Sequence, residues 1–180
     1  MDTAAARLSK VRRVSRFGRA ACIGLMFVIG LITCALAVGF FAFPESSTCD
    51  VGGGPIPCLD MTTAERALAF ALMTVFFGLA VKILHHLSGL FGNYARAEIF
   101  TRASVRQIRK IGSTVFIVGA LQIIMLLGQA VLVGTHQITW PEGRPIPLPF
   151  GTFLGGALIM LVAWVMELGT ELREESELTV

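Results

Sequence analysis

Lys82, His85 and His86 stand at i, i+3 and i+4 in an otherwise apolar run. On a helix that spacing puts all three on one face. Imidazoles change charge near neutral pH, and a cation held among apolar neighbours marks an ion path, a proton relay or a ligand counter-charge. Glu167, at the edge of a second apolar run, supplies a carboxylate at a comparable depth. A Lys82 to Glu167 pair would neutralise both groups, although Lys82 can equally extend its amine to the headgroups. Together the four form a candidate intramembrane polar cluster. They do not suit haem, because His85 and His86 share one helix and His136 falls in a loop, whereas bis-histidine ligation needs facing helices. The chain contains no His-Glu-x-x-His, Gly-x-Ser-x-Gly or phosphate-loop motif, so no catalytic residue, cofactor or metal is expected and the chain reads as a non-enzyme.

A second group of residues is suited to docking rather than to catalysis. Arg102, Arg106, Arg109 and Lys110 surround a stripe made by Val105, Ile108 and Ile111, the spacing of an amphipathic helix, with Thr101 as its N-cap and Phe100 packing on Val105. Such a helix attracts anionic lipid or an acidic protein surface, at about 1 kcal/mol per basic residue near a membrane, and it also fixes topology. The carboxylates Glu171, Glu174, Glu175 and Glu177 collect in the tail, where a network of weak pairs with those cations would hold the tail against them. The charge would tolerate nucleic acid, but no recognition motif accompanies it, so direct nucleic-acid binding is not expected. Cys49 and Cys58 bracket a Gly-Gly-Gly-Pro turn and make a candidate disulfide, with two free thiols as the alternative.

These groups must be positioned by membrane helices. Of 180 residues 54% are apolar and only 15% are charged, too few to coat a soluble domain. The apolar residues gather in four blocks, 20–43, 67–90, 111–133 and 148–166, each close to the ~20 residues that cross ~30 Å of hydrocarbon. The expected fold is all-α, an integral membrane four-helix bundle. A basic leader covers 1–19, a basic amphipathic connection 91–110, and an acidic tail 167–180. Lys and Arg crowd the leader and the 91–110 connection, whereas 44–66 holds only Arg66 and 134–147 only Arg144, which puts both termini in the cytoplasm. The first block runs past the small-residue site Ala35-Leu36-Ala37 through Phe43, too long for a cleaved signal peptide.

Two leaders align, Val11-Arg12-Arg13-Val14-Ser15-Arg16-Phe17-Gly18 with Val105-Arg106-Gln107-Ile108-Arg109-Lys110-Ile111-Gly112, and Pro-Ile-Pro recurs at 55–57 and 145–147. Either the chain is a duplicated helical hairpin, or two cytoplasmic leaders are basic for the same topological reason. Gln122 and Gln129 share a face of the third block and suit interhelical hydrogen bonds. Small-residue pairs at Ala35/Gly39, Thr74/Gly78 and Gly151/Gly155 would admit close helix contact. Trp140 and Trp164 read as interfacial anchors.

The run Leu90-Phe91-Gly92-Asn93-Tyr94-Ala95-Arg96-Ala97-Glu98-Ile99-Phe100-Thr101, continued by Val105, Ile108, Arg109 and Gly112, resembles the signature of the bacterial membrane family called domain of unknown function 2975. The ending Gly169 to Val180 resembles it too, and the likeness extends over nearly the whole chain. Ala97 and Ser104 depart from the family pattern, which favours Gly and Asn there. The resemblance implies four membrane helices in a bacterial inner membrane and no established activity. It also implies a partner, because members are often encoded beside a small helix-turn-helix repressor. The resulting expectation is a regulator or sensor in the lipid bilayer that engages a cytoplasmic DNA-binding protein. The alternative is a subunit of a homo-oligomeric transporter or channel.

Overall fold

The computed structural model describes the backbone of residues 2–42, 48–50, 55–57, 62–96, 101–135 and 148–178, with side chains for 12–39, 41–42, 62–96, 101–128, 130–131 and 148–172. Among the described residues there are four helices, α1 (Asp2–Ala42), α2 (Thr63–Ala95), α3 (Arg102–Thr135) and α4 (Phe150–Leu178). A short antiparallel ribbon, β1 (Thr48–Asp50) with β2 (Pro55–Pro57), lies between α1 and α2. Each helix contains a segment long and apolar enough to span a bilayer, namely Arg12–Gly39, Thr63–Ala95, Arg102–Gly128 and Phe150–Leu172. The expected all-α membrane bundle is therefore what the chain forms, with the ribbon as a small addition.

Local chemistry sets where the helices begin. Thr62 and Glu65 form a reciprocal capping box at α2, the Glu65 N–H donating to Thr62 Oγ1 at 3.2 Å and the Thr62 N–H to Glu65 Oε2 at 2.7 Å. Thr101 caps α3 as expected, accepting from the Ser104 N–H at 3.3 Å. Pro149 precedes α4 and its carbonyl accepts the N–H groups of Thr152 and Phe153 at 3.1 Å. Proline suits that position because it has no N–H to leave unpaired there.

The connection expected over 91–110 is not a separate element. α2 continues through Ala95 and α3 begins at Arg102, so the basic residues are the first turns of a spanning helix. The reason lies in the stripe: Val105, Ile108 and Ile111 are all buried and extend the packing face of α3 without a break. α2, with 33 residues, is ~50 Å long at ~1.5 Å per residue and outreaches a ~30 Å hydrocarbon layer. Its ends therefore project into the headgroup region.

Each helix packs extensively on its neighbour in sequence, α1 on α2, α2 on α3 and α3 on α4. Most fully buried residues gather at the end that carries the arginines. A cluster of Leu90, Ile108 and Ala163 joins α2, α3 and α4 there, with Leu87, Tyr94, Ile159 and Met166 around it. Towards the opposite end, apolar side chains such as Leu36, Val75, Ile124, Leu127 and Leu154 face outward. Lipid solvates them, so no hydrophobic force draws those halves together and packing detail decides the contacts.

That detail is a set of glycines facing large side chains. A methyl group at Gly119 of α3 would lie 3.0 Å from Phe153 of α4, and one at Gly156 of α4 would lie 3.2 Å from Phe116 of α3. The two rings interlock with centroids 6.0 Å apart. Gly112 likewise faces Met160 and Gly18 faces Phe91. Gly18 and Gly112 are the positions that the two aligned leaders place in register, and both sit against the next helix of their hairpin. The small-residue pairs named from sequence do not share this role: a methyl at Gly39, Gly78, Gly151 or Gly155 would meet nothing within 4 Å. Spacing identifies a smooth stripe, but the rotation of the helix decides whether the stripe meets a partner.

Candidate functional site at the charged end of the bundle

The N-terminal turns of α3 and the C-terminal turns of α4 enclose a cleft of about 310 Å³, lined by Arg102, Val105, Arg106, Arg109, Glu167, Thr170 and Glu171. Val105 and Thr170 are buried and make its floor, and the charged residues form its walls. Arg102, Arg106 and Arg109 follow one another at i, i+4 and i+7, which keeps them on one flank of α3. Antiparallel packing then brings that flank to the end of α4. Arg109 Nη2 donates to Glu167 Oε2 at 2.6 Å, a charge-assisted bond. With the two side chains 53% and 38% exposed, water screens the pair. The Thr170 hydroxyl turns back to donate to the Glu167 carbonyl at 2.7 Å, which keeps it off the carboxylates.

This geometry rearranges the polar cluster expected from sequence. Glu167 pairs with Arg109 on the adjacent α3, not with Lys82 on α2. Lys82 and His85 are exposed on α2, while His86 is half-buried and its Nδ1 lies 2.8 Å from Gln107 Oε1 on α3. The His85 and His86 rings lie edge to face, centroids 5.8 Å apart. One helical face in sequence thus divides between the outer surface of the bundle and an interhelical bond, because the two histidines are adjacent residues about 100° apart around the axis. Lys110 is exposed beside the cleft without lining it. Of the acidic tail, Glu171 reaches the cleft. Glu174, Glu175 and Glu177 lie outside the described side chains, as do Cys49 and Cys58. In the ribbon Cys49 pairs in register with Ile56.

Sequence reasoning missed the buried polar chain that closes α2 onto α3. Asn93 is buried, donates through Nδ2 to Ser104 Oγ at 3.4 Å and accepts from Arg96 Nη2 at 2.8 Å. Ser104 is wholly buried, and its hydroxyl lies 3.1 Å from Thr101 Oγ1. These bonds satisfy polar groups where water is scarce, and so tie the end of α2 to the start of α3. The signal was an asparagine and a serine flanking a Thr cap. Nothing in their spacing says that they face each other.

A second cavity of about 490 Å³ lies nearer the opposite end, among Phe76, Gln122, Met125, Leu126, Leu148, Pro149, Gly151 and Thr152. There the Thr152 hydroxyl donates to Gln122 Oε1 at 2.9 Å, the interhelical role expected of Gln122. Gln129 falls outside the described side chains.

Four helices long and apolar enough to span a bilayer make this a multi-pass helical membrane protein. Residues 59–180 match the family model described as Protein of unknown function (DUF2975), and the chain belongs to that family. The match covers α2, α3 and α4, and with them the whole arginine-lined cleft and the Asn93 chain, whereas α1 precedes it. The shared part is thus smaller than the nearly complete coverage expected from sequence. No curated protein and no solved structure matches the chain.

Proposed function

We propose that this protein is a four-span regulator or sensor of a bacterial cell membrane, with both termini in the cytoplasm, and that its charged end binds a small cytoplasmic DNA-binding partner. The observation that carries the reading is the cleft in which Arg102, Arg106 and Arg109 oppose Glu167 and Glu171. Such a surface offers both signs of charge within one concave site, which favours oriented docking over general adhesion. The positive-inside bias of the loops supports a cytoplasmic position for it. In this reading the chain is not an enzyme, and it acts by holding or releasing its partner.

The test is affinity capture of the tagged full-length chain from its native membranes. A small helix-turn-helix protein should be recovered with the natural chain and lost both on deleting residues 171–180 and on changing Arg106→Glu. Recovery that survives both changes would end the reading.

A second reading is favoured by the cavity around Gln122 and Thr152, where an amide–hydroxyl pair faces apolar walls within the membrane part of the bundle. There the chain would be a subunit of an oligomeric transporter for a small solute. Solute flux in liposomes that is abolished by Gln122→Leu would support it over the first.

A further inference from the structure

The cleft between α3 and α4 has a depth as well as a charge, and the two together specify a ligand. On α3 the apolar block starts at Ile111, and on α4 it ends at Met166. Arg109 and Glu167 lie next to those limits. Arg106 and Glu171 each lie five residues beyond them, ~7.5 Å outward at ~1.5 Å per residue. The headgroup layer on each side of a bilayer is ~5–8 Å thick. Arg106 and Glu171 therefore face each other's helix at the level of lipid phosphates and amines.

The cleft's volume of about 310 Å³ is at the small end of ligand sites, which suits a headgroup and not a whole lipid. Its lining is of mixed sign. Guanidiniums match phosphate oxygens in geometry and charge. Glu167 is already engaged by Arg109, which leaves Arg106 and Glu171 as one charge of each sign across the cleft. Glu171 is left to meet a cation. A quaternary ammonium would present no N–H to that carboxylate and is ordinarily held by aromatic rings, and none lines this cleft among the described residues.

We propose that this cleft also binds, in competition with the partner of the proposed function and independently of that reading, a phospholipid headgroup that joins a phosphodiester to a primary ammonium, the phosphoethanolamine type. The phosphate sits on Arg106, and the ammonium donates to Glu171. The source is the bilayer lipid itself, because the two residues stand at headgroup depth. The Arg109 to Glu167 pair forms the membrane-side wall and holds α4 in register for the site.

The experiment uses the full-length protein in detergent micelles, titrated with phosphatidylethanolamine, its mono-, di- and trimethylated forms, phosphatidylglycerol, and soluble phosphoethanolamine. Bound lipid is read by native mass spectrometry. Phosphatidylethanolamine should be retained roughly tenfold more strongly than the trimethylated form, a difference of about 1.4 kcal/mol. Retention should fall stepwise as N–H donors are removed. Glu171→Gln should abolish the step, and Arg106→Gln should weaken every lipid, with Arg106→Lys restoring part of it. The methylation series needs only the natural chain, so a variant that fails to fold leaves the test intact. Equal retention along the series, stronger retention of phosphatidylglycerol, or equal binding of soluble phosphoethanolamine would each overturn the proposal.

Discussion

Arg109 on α3 and Glu167 on α4 meet at 2.6 Å across the charged end of the bundle, fifty-eight residues apart in the chain. The pair is half in water, so its strength lies in orienting two helices and contributes little to stability. Glu167→Gln should lower stability by at most about 1 kcal/mol. A charge exchange, Arg109→Glu with Glu167→Arg, should recover what either single change loses. Thermal unfolding in nanodiscs of the four chains checks this as a double-mutant cycle.

The interlocked rings of Phe116 and Phe153 make a sharper demand. Each occupies the space above a glycine of the facing helix, so Gly119→Leu and Gly156→Leu should each destabilise by about 1–3 kcal/mol through overpacking. Gly155→Leu adds the same side chain one residue away, where a methyl meets nothing within 4 Å, and should be tolerated. Denaturation in mixed micelles compares the three.

Asn93 sits between Ser104 and Arg96 in a buried position. Asn93→Ala leaves the Ser104 hydroxyl without that donor, and the cost should be about 1–3 kcal/mol. Because the bonds join the end of α2 to the start of α3, hydrogen exchange should quicken first in residues 93–105. Uniform quickening across all four helices would contradict this account.

The capping box at Thr62 is local and exposed. Thr62→Ala should cost about 1 kcal/mol, confined to the first turn of α2. Amide exchange at residues 63–66 should rise while the charged end stays protected.

The proposed orientation has its own test. With Cys22, Cys34, Cys49 and Cys58 replaced by serine, a single cysteine at position 96 should resist a membrane-impermeant thiol reagent in intact cells and react once the membrane is opened. Labelling of intact cells would reverse the assignment of sides.

Much of this protein was legible in the sequence because membrane spans are long-range averages. Hydrocarbon thickness demands blocks of about twenty apolar residues, and charge cannot enter them cheaply, so block length carries the number of spans. The stripe Val105, Ile108, Ile111 and the Thr101 cap were equally readable, since both depend on residues within two turns. The departures share one cause. Whether Glu167 meets Lys82 or Arg109, whether Gly119 or Gly155 meets a partner, and whether Asn93 finds Ser104 all depend on how each helix is rotated about its axis. Lipid solvates every apolar face alike, so hydropathy does not encode that rotation. By itself the sequence determined four spans and a charged end. Only the tertiary structure decided which side chains face one another there, because rotation follows from the fit of Phe116, Phe153 and Met160 over glycines on neighbouring helices.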